Sequence, residues 1–366
     1  DFGNGNSSTQ TSPTVTYPAS GTFTVKLTAT TSNGCSQSAS SSYTVFASPT
    51  AAFTSNNVCI GTTINFSNGS SGASTYSWNF GDATTSSLNN PSKSYSASGN
   101  FNVKLVASTS NGCKDSVTKQ VVIFAKPVVD FSATNRCLGN SINFSNLSSG
   151  ATGFVWNFGD GKTSATTSPS YTYASSGTYN VKLIAENANG CKDSVSKSIT
   201  VFSNPSVSFT AQPNPICRGG LMNFTNTSTN GTSFTWNFGN GKTSTLTSPT
   251  NIYTAEGNYN VKLVSINSNG CKDSTFRTVT VWPRPKASFS FNNGCATDNL
   301  GFTSNSVGAV GHSWTFGDAT TSTQANPAKG YTGPGTYSVT LIVTSVNGCM
   351  DTTTSSVTVH PRAAVS

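Results

Sequence analysis

Apolar and polar residues alternate along this chain in short runs. Tyr76, Trp78 and Phe80 fall on one side of an extended segment and Ser77 and Asn79 on the other, the period of two that marks a strand with one face in a core. Over residues 47–124 the pattern predicts strand A near 51–54, B near 63–68 and C near 75–80. After a loose stretch come E near 92–95, F at 102–108 and G at 114–124. About seven short strands of this kind make a two-layered β-sandwich. Gly21, Gly99, Gly177, Gly257 and Gly335 each stand two residues before an aromatic that opens strand F. Asn-Gly pairs follow that strand at 33–34, 111–112, 189–190, 269–270 and 347–348. Between alternating runs such a pair predicts a tight F–G hairpin with a type I′ turn, because both residues tolerate positive φ.

The pattern repeats. Trp78-Asn79-Phe80-Gly81-Asp82 returns at Trp156, at Trp236 and, with Thr315 in the second position, at Trp314, at spacings of 78, 80 and 78 residues. A solenoid unit has only roughly 20–50 residues, so these copies are beads with a core each. The four tryptophans are the predicted core centres. The copies divide the chain into 1–46, a partial repeat lacking A, B and most of C, then 47–124, 125–202, 203–282 and 283–360, with 361–366 opening a further repeat. Asp1-Phe2-Gly3 matches the tail of the recurring string and His360-Pro361-Arg362 echoes Trp282-Pro283-Arg284. Both ends are therefore expected to lie within a longer array. Short linkers carrying Pro49, Pro127, Pro205 and Pro283 stiffen the joints and predict a head-to-tail rod.

Composition agrees with an all-β reading. Ser, Thr, Asn and Gly dominate and good helix formers are sparse, with 34% hydrophobic and 9% charged residues. Disorder is disfavoured by 22 Phe, 11 Tyr and 5 Trp. The net charge of +8 is spread as one or two lysines per repeat, such as Lys104 and Lys114, so a solvated face explains it better than nucleic-acid binding. No run approaches the ~18 apolar residues of a membrane helix. His312 and His360 are far apart in phase, and no nucleophile, base and acid recur together, so an enzyme is not expected. No cofactor is expected either.

The run Trp156-Asn157-Phe158-Gly159-Asp160-Gly161, followed by Tyr173 and by Gly177-Thr178-Tyr179-Asn180-Val181, closely resembles the signature of PKD domains. The resemblance covers residues 47–360 and the partial first repeat, and implies tandem Ig-like seven-stranded sandwiches. Cys59-Ile60-Gly61 and Gly112-Cys113-Lys114-Asp115-Ser116 further resemble PKD arrays of Bacteroidetes surface proteins, which implies type IX secretion, adhesion and gliding. Asn240 in place of the motif Asp, Thr315 in place of Asn and the missing His before the E-strand Tyr depart from the pattern.

Nine cysteines fall in two phases, one before strand B (Cys59, Cys137, Cys217, Cys295) and one after the Asn-Gly turn (Cys35, Cys113, Cys191, Cys271, Cys349). Without metal-site spacing this usage reads as disulfides formed in an oxidising, extracellular compartment. The A–B and F–G connections lie at opposite ends of a sandwich roughly 33 Å long, while a disulfide needs Cα atoms within about 7 Å. Head-to-tail stacking instead predicts Cys59–Cys191, Cys137–Cys271 and Cys217–Cys349, leaving Cys35, Cys113 and Cys295 to pair beyond these residues. Pairing inside each repeat, as Cys59–Cys113, stays open if a long A–B crossover carries its cysteine down the sandwich.

Asp82, Asp160 and Asp318 are weighed as calcium ligands or as turn caps, and the cap is favoured because no acidic cluster accompanies them. Ser116, Ser194, Ser274 and Thr352 follow aspartates in a pattern resembling the Bacteroidetes O-glycosylation motif, against an ordinary strand edge. The expected function is a cell-surface stalk or filament whose partners are its own neighbouring repeats and other copies. The alternatives are a module that itself binds polysaccharide or host surface, and a spacer in a secreted hydrolase.

Overall fold

Strands F and G form the spine of each repeat. In the computed structural model, which describes residues 1–363, Gly99–Ser108 pairs antiparallel with Lys114–Phe124 in an unbroken register from Gly99↔Ile123 to Ser108↔Lys114. F thus begins three residues before its apolar alternation, because a regular G strand extends the ladder past the polar Asn100. Thr75–Asn79, strand C, adds to the other side of F.

Two short strands complete this sheet that the alternation did not reveal. Val58–Cys59 runs parallel to the end of G, with Val58 opposite Ile123 and Cys59 opposite Phe124. Thr85–Ser86 pairs with C inside the stretch expected to be loose. A physical reason for the second is the Trp78 indole, whose buried N–H donates to Leu88 O at 2.9 Å and draws the chain back. The opposing layer holds A, B and E. It is discontinuous in the second repeat, where Phe53–Thr54 meets Ser67–Asn68 and Ile64–Asn65 meets Ser92–Lys93. In the fourth it is a regular three-stranded sheet of Phe209–Gln212, Leu221–Asn226 and Thr250–Ile252. The fifth has the same order, with Phe289–Phe291, Asn299–Ser304 and Ala328–Gly330.

Between the layers the tryptophan of each recurring string is fully buried, and a strand-A phenylalanine meets it edge-on. The ring centroids are 5.2 Å apart for Phe53–Trp78, 5.1 Å for Phe131–Trp156, 5.0 Å for Phe209–Trp236 and 5.1 Å for Phe289–Trp314, the geometry the ring quadrupole favours. Tyr76 is only partly buried and packs at the margin of this cluster.

The F–G turn differs from the expected type I′. Gly112 takes positive φ, at 85°, while Asn111 does not, and Gly112 N bonds Thr109 O as Thr109 N bonds Cys113 O. The result is a three-residue loop closed by one left-handed glycine. An Asn-Gly pair satisfies both turns, so the pair alone could not choose between them. Glycine is also required at Gly159 of the recurring string, where φ is 85° and an added Cβ would lie 2.8 Å from Asn180 O.

The chain separates into two compact units. One comprises 1–134, 141–171 and 178–199, and the other 135–140, 172–177 and the chain from 200 onward. In the first unit the partial repeat consists of Gly21–Thr30 paired with Ser36–Val45, its side chains largely exposed. Pro361, Arg362 and Ala363 form no strand, and the rest of the expected opening of a further repeat lies outside the described residues.

One core position breaks the pattern. Ser265 is fully buried with no partner for its hydroxyl, where the other repeats have Ala107, Ala185 and Val343. A Cβ on the adjoining Gly231 would come within 2.0 Å of Ser265 Oγ, and alanine occupies the corresponding places 73, 151 and 309. Combining Gly231→Ala with Ser265→Ala is expected to stabilise the fourth repeat by about 1–2 kcal/mol, since an unpaired buried hydroxyl is removed and its volume replaced. Gly231→Ala alone is expected to destabilise it. Thermal unfolding of the single and double variants measures both signs.

Candidate functional site

The residues with the most consequential arrangement lie where consecutive repeats meet. Cys59 sits beside the last residue of strand G, with Ile60 N bonded to Phe124 O at 2.9 Å. Cys113 precedes the first residue of that strand. Eleven residues of extended chain, roughly 36 Å, therefore separate the two cysteines of one repeat. The structure bonds Cys59 to Cys191, Cys137 to Cys271 and Cys217 to Cys349, with Cα atoms 5.6, 5.5 and 5.7 Å apart. Each bond joins the A–B end of one repeat to the F–G loop of the next. Cys191, Cys271 and Cys349 are buried, which hinders attack by an external thiolate.

Side chains hold the F–G loop in place. Asn187 Oδ1 accepts from the backbone N–H groups of Asn189 and Cys191 at 3.0 Å each, while its Nδ2 donates to Ala125 O at 2.8 Å, just past the preceding strand G. Asn267 repeats this with Asn269, Cys271 and Ser203 O. Thr109 and Ser345 stand in the same place with a hydroxyl that accepts only the cysteine N–H. At the Cys217–Cys349 junction Arg284 Nε donates to Arg218 O at 2.8 Å and its Nη1 to Met350 O at 3.4 Å, so one guanidinium touches both turns. Asn204, the matching linker residue at the Cys137–Cys271 junction, donates to Leu138 O at 3.2 Å. For Asn187 and Asn267 the signal is an Asn four places before the cysteine, inconspicuous in so Asn-rich a chain, whereas Asn204 and Arg284 are marked only by their place in the linker.

Cys35, Cys113 and Cys295 have no disulfide partner among the described residues. Cys113 Sγ lies 3.9 Å from Phe46 O, and Phe46 holds in the first repeat the place that Phe124 holds in the second.

The motif aspartates serve the turn after strand C. Asp82 Oδ1 accepts from Thr84 N at 3.1 Å and its other oxygen pairs with Lys93 Nζ at 2.8 Å. Asp318 does the same with Thr320 and Lys329. Asp160 accepts the Tyr171 hydroxyl at 2.7 Å. A bound lysine leaves little of a carboxylate for a cation, and among the described residues no group of three acidic, His or Cys side chains is placed to hold a metal. Burial pushes the Asp82 and Asp318 carboxyls up, but the bonds from lysine and threonine outweigh it and hold both below the ordinary value of 3.8. Tyr95, Tyr253 and Tyr331, which donate to the carbonyls of Phe80, Phe238 and Phe316, are pushed up to about 12, chiefly by burial.

These shifts set the pH window. The depressed carboxyls contribute fully above 3.8 and lose that contribution as pH falls through their folded values. The tyrosines contribute fully below the ordinary phenol value of 10 and lose it as pH rises toward 12. Melting temperature is expected to be flat between these limits and to fall outside them. A maximum near neutrality with steep flanks at pH 6 and 8 would contradict these assignments.

Of the expected modification sites, Ser116, Ser194 and Thr352 are exposed and Ser274 is half-buried, all on strand G. Their aspartates have structural partners. Asp115 and Asp351 each accept the backbone N–H of an alanine two residues before strand A, Ala51 and Ala287, at 2.9 Å. Asp193 and Asp273 accept from the serine that follows them.

The family model described as PKD domain matches residues 1–47, 46–125, 124–202, 203–281 and 284–360. No curated protein matches the chain. Among solved structures the chain is similar to the PKD1 domain of Vibrio cholerae metalloprotease PrtV, with 30% identity over 21% of this chain and 96% of that one and a TM-score of 0.20. The PKD1 domain of Vibrio anguillarum Epp is similar at 27% identity, over 21% and 95%, also with a TM-score of 0.20. A calcium-stabilized adhesin with which an Antarctic bacterium binds ice matches at 13% identity over 87% of this chain and all of that one, with a TM-score of 0.31. Tandem repeats of this kind are typically non-catalytic, and with three disulfides they point to an extracellular protein. Among the described residues no helix is long and apolar enough to cross a membrane. With five matches covering nearly its whole length, the chain belongs to the PKD domain family, as a tandem array.

Proposed function

We propose that the array is an extracellular structural stalk or filament in which each joint between repeats is stapled covalently. The observation that carries this reading is the phase of the disulfides. A bond within a repeat would stabilise only that bead, whereas Cys59–Cys191, Cys137–Cys271 and Cys217–Cys349 tie beads to their neighbours. Tension arriving at a joint then passes through sulfur as well as through the short linker. Asn187, Asn267 and Arg284 hold the same joints by hydrogen bonds. The resemblance to Bacteroidetes surface arrays supports export by type IX secretion and a part in adhesion or gliding, with strand-G hydroxyls such as Ser116 open to glycosylation. Immuno-electron microscopy of the source cell surface with antibody to the repeats tests the reading. Labelled fibres beaded at about one domain length, roughly 36 Å, are expected. Label confined to the cell interior, or to compact secreted particles, would overturn it.

A further inference from the structure

The fourth repeat departs from its siblings at one corner of the sandwich. In the others the place above the Phe of the recurring string is filled from within the chain. Lys93 pairs there with Asp82, its Nζ 5.9 Å from the Phe80 ring, and Lys329 with Asp318, 6.0 Å from Phe316. In the third repeat Tyr171 lies there instead, stacked on Phe158 with centroids 4.1 Å apart and planes 2° from parallel. Strand register identifies the equivalent residue of the fourth repeat, since Ile64, Ile142, Met222 and Leu300 stand opposite Lys93, Tyr171, Asn251 and Lys329. That residue is Asn251, too short to fill the place, and the carboxylate that would anchor a lysine is replaced by Asn240.

The outcome is a groove of about 370 Å³ with Phe238 at its floor. Its rim is apolar where the siblings are polar. Leu221 replaces Thr63, Ser141 and Asn299, and Ile252 replaces Ser94, Thr172 and Gly330. Leu221, Leu246 and Ile252 are 51%, 66% and 42% exposed around it. Asn251, only 5% exposed, lines the groove with its amide beside the Tyr253 hydroxyl. Three large aliphatic groups are held in water here, and both charges that close the place elsewhere are gone.

The same repeat carries a protruding ring. Phe276 on strand G is 56% exposed where the siblings have Thr118, Ser196 and Thr354. It stands opposite Lys262, whose Nζ is 5.1 Å from the ring centre. A ring-accepting groove and an unpaired ring thus arise together in one repeat, each by exchange of polar for apolar residues.

We propose that the groove receives Phe276 of a second copy of this chain. Tyr171 shows that this corner of the fold accommodates an aromatic ring face-on, and an aromatic face is a weak acceptor for the Asn251 amide. The groove lies where strands B and E of one sheet meet the edge strand Thr243–Ser244 of the other, whereas Phe276 stands on strand G, so ring and groove are different patches of one repeat. The contact joins two different patches, so it either propagates side by side or closes reciprocally into a pair with each ring in the other's groove. Lys242 on the groove rim and Lys262 beside the ring bring like charges together, so association tightens with ionic strength. The inference stands whether or not the array serves as a stalk.

Sedimentation velocity of the full chain, with its free thiols alkylated, tests this over concentrations up to about 1 mM, the weak end of specific binding. The weight-average sedimentation coefficient is expected to rise with concentration, and more steeply at high salt. Phe276→Thr is expected to abolish the rise, and so is Leu221→Thr combined with Ile252→Ser, each change restoring a sibling residue. Mixing the two variants is decisive. One keeps the groove and the other the ring, so the mixture forms pairs and nothing larger. A wild-type chain that stays monomeric throughout would overturn the proposal, as would a Phe276→Thr chain that associates like wild type or a mixture that stays monomeric. Unchanged melting curves confirm that the variants are folded.

Discussion

Stretched between its ends with the three disulfides intact, the chain is expected to stop lengthening near 350 Å of contour, against roughly 1,300 Å once they are reduced. The difference follows from how the staples overlap. The shortest covalent path runs through residues 1–59, crosses to 191, continues to 217, crosses to 349 and ends at 366. That path contains about 100 residues at about 3.5 Å each. Nearly all of the second, third, fourth and fifth repeats lies off it, so their cores are shielded from load even when the strands on the path give way. Single-molecule extension with and without reductant measures both limits. Bonds within each repeat would instead leave every linker and every strand A on the path, and the oxidised limit would be longer. Each closed loop exceeds 130 residues, which in the chain-entropy account corresponds to about 5 kcal/mol per bond.

Replacing one core tryptophan is expected to unfold one repeat and spare the others. Trp236 is fully buried, meets Phe209 edge-on at 5.0 Å and donates its indole N–H to Leu246 O at 2.9 Å. Trp236→Ala removes those contacts and leaves a cavity, at a cost of about 3–5 kcal/mol. A sandwich of roughly 80 residues has only about 4–12 kcal/mol to lose. Because the fourth repeat has its own buried cluster, with Met222, Phe224 and Leu263 around the tryptophan, the loss stays local. Hydrogen exchange is expected to accelerate over residues 203–282 and to stay slow in strands F and G of the second repeat. Uniform acceleration along the chain would show that the beads do not own their cores.

Much of the fold was legible because it is written in period-two alternation and repeated in phase. Trp78, Phe80 and the long G strand stand out for that reason. The segments that escaped are those whose pairing depends on something distant. Val58–Cys59 has no alternation of its own and is a strand only because the end of G lies beside it. Thr85–Ser86 is drawn in by an indole hydrogen bond. The cysteine phases were visible, and the length of strand G separates them, whereas the bridging roles of Asn187, Asn267 and Arg284 were not. Asn and Arg are common solvent-facing residues, and nothing in their identity shows that a neighbouring repeat supplies their acceptors. The groove of the fourth repeat was concealed for a related reason. Asn240 reads as a weakened motif until the register shows that Asn251, Leu221 and Ile252 changed around it.

The central claim is that covalent bonds join neighbouring repeats, and mass spectrometry of peptides from the unreduced protein tests it most directly. Linked peptides joining Cys59 to Cys191, Cys137 to Cys271 and Cys217 to Cys349 are the predicted result. Peptides joining Cys59 to Cys113 and Cys137 to Cys191 would contradict it.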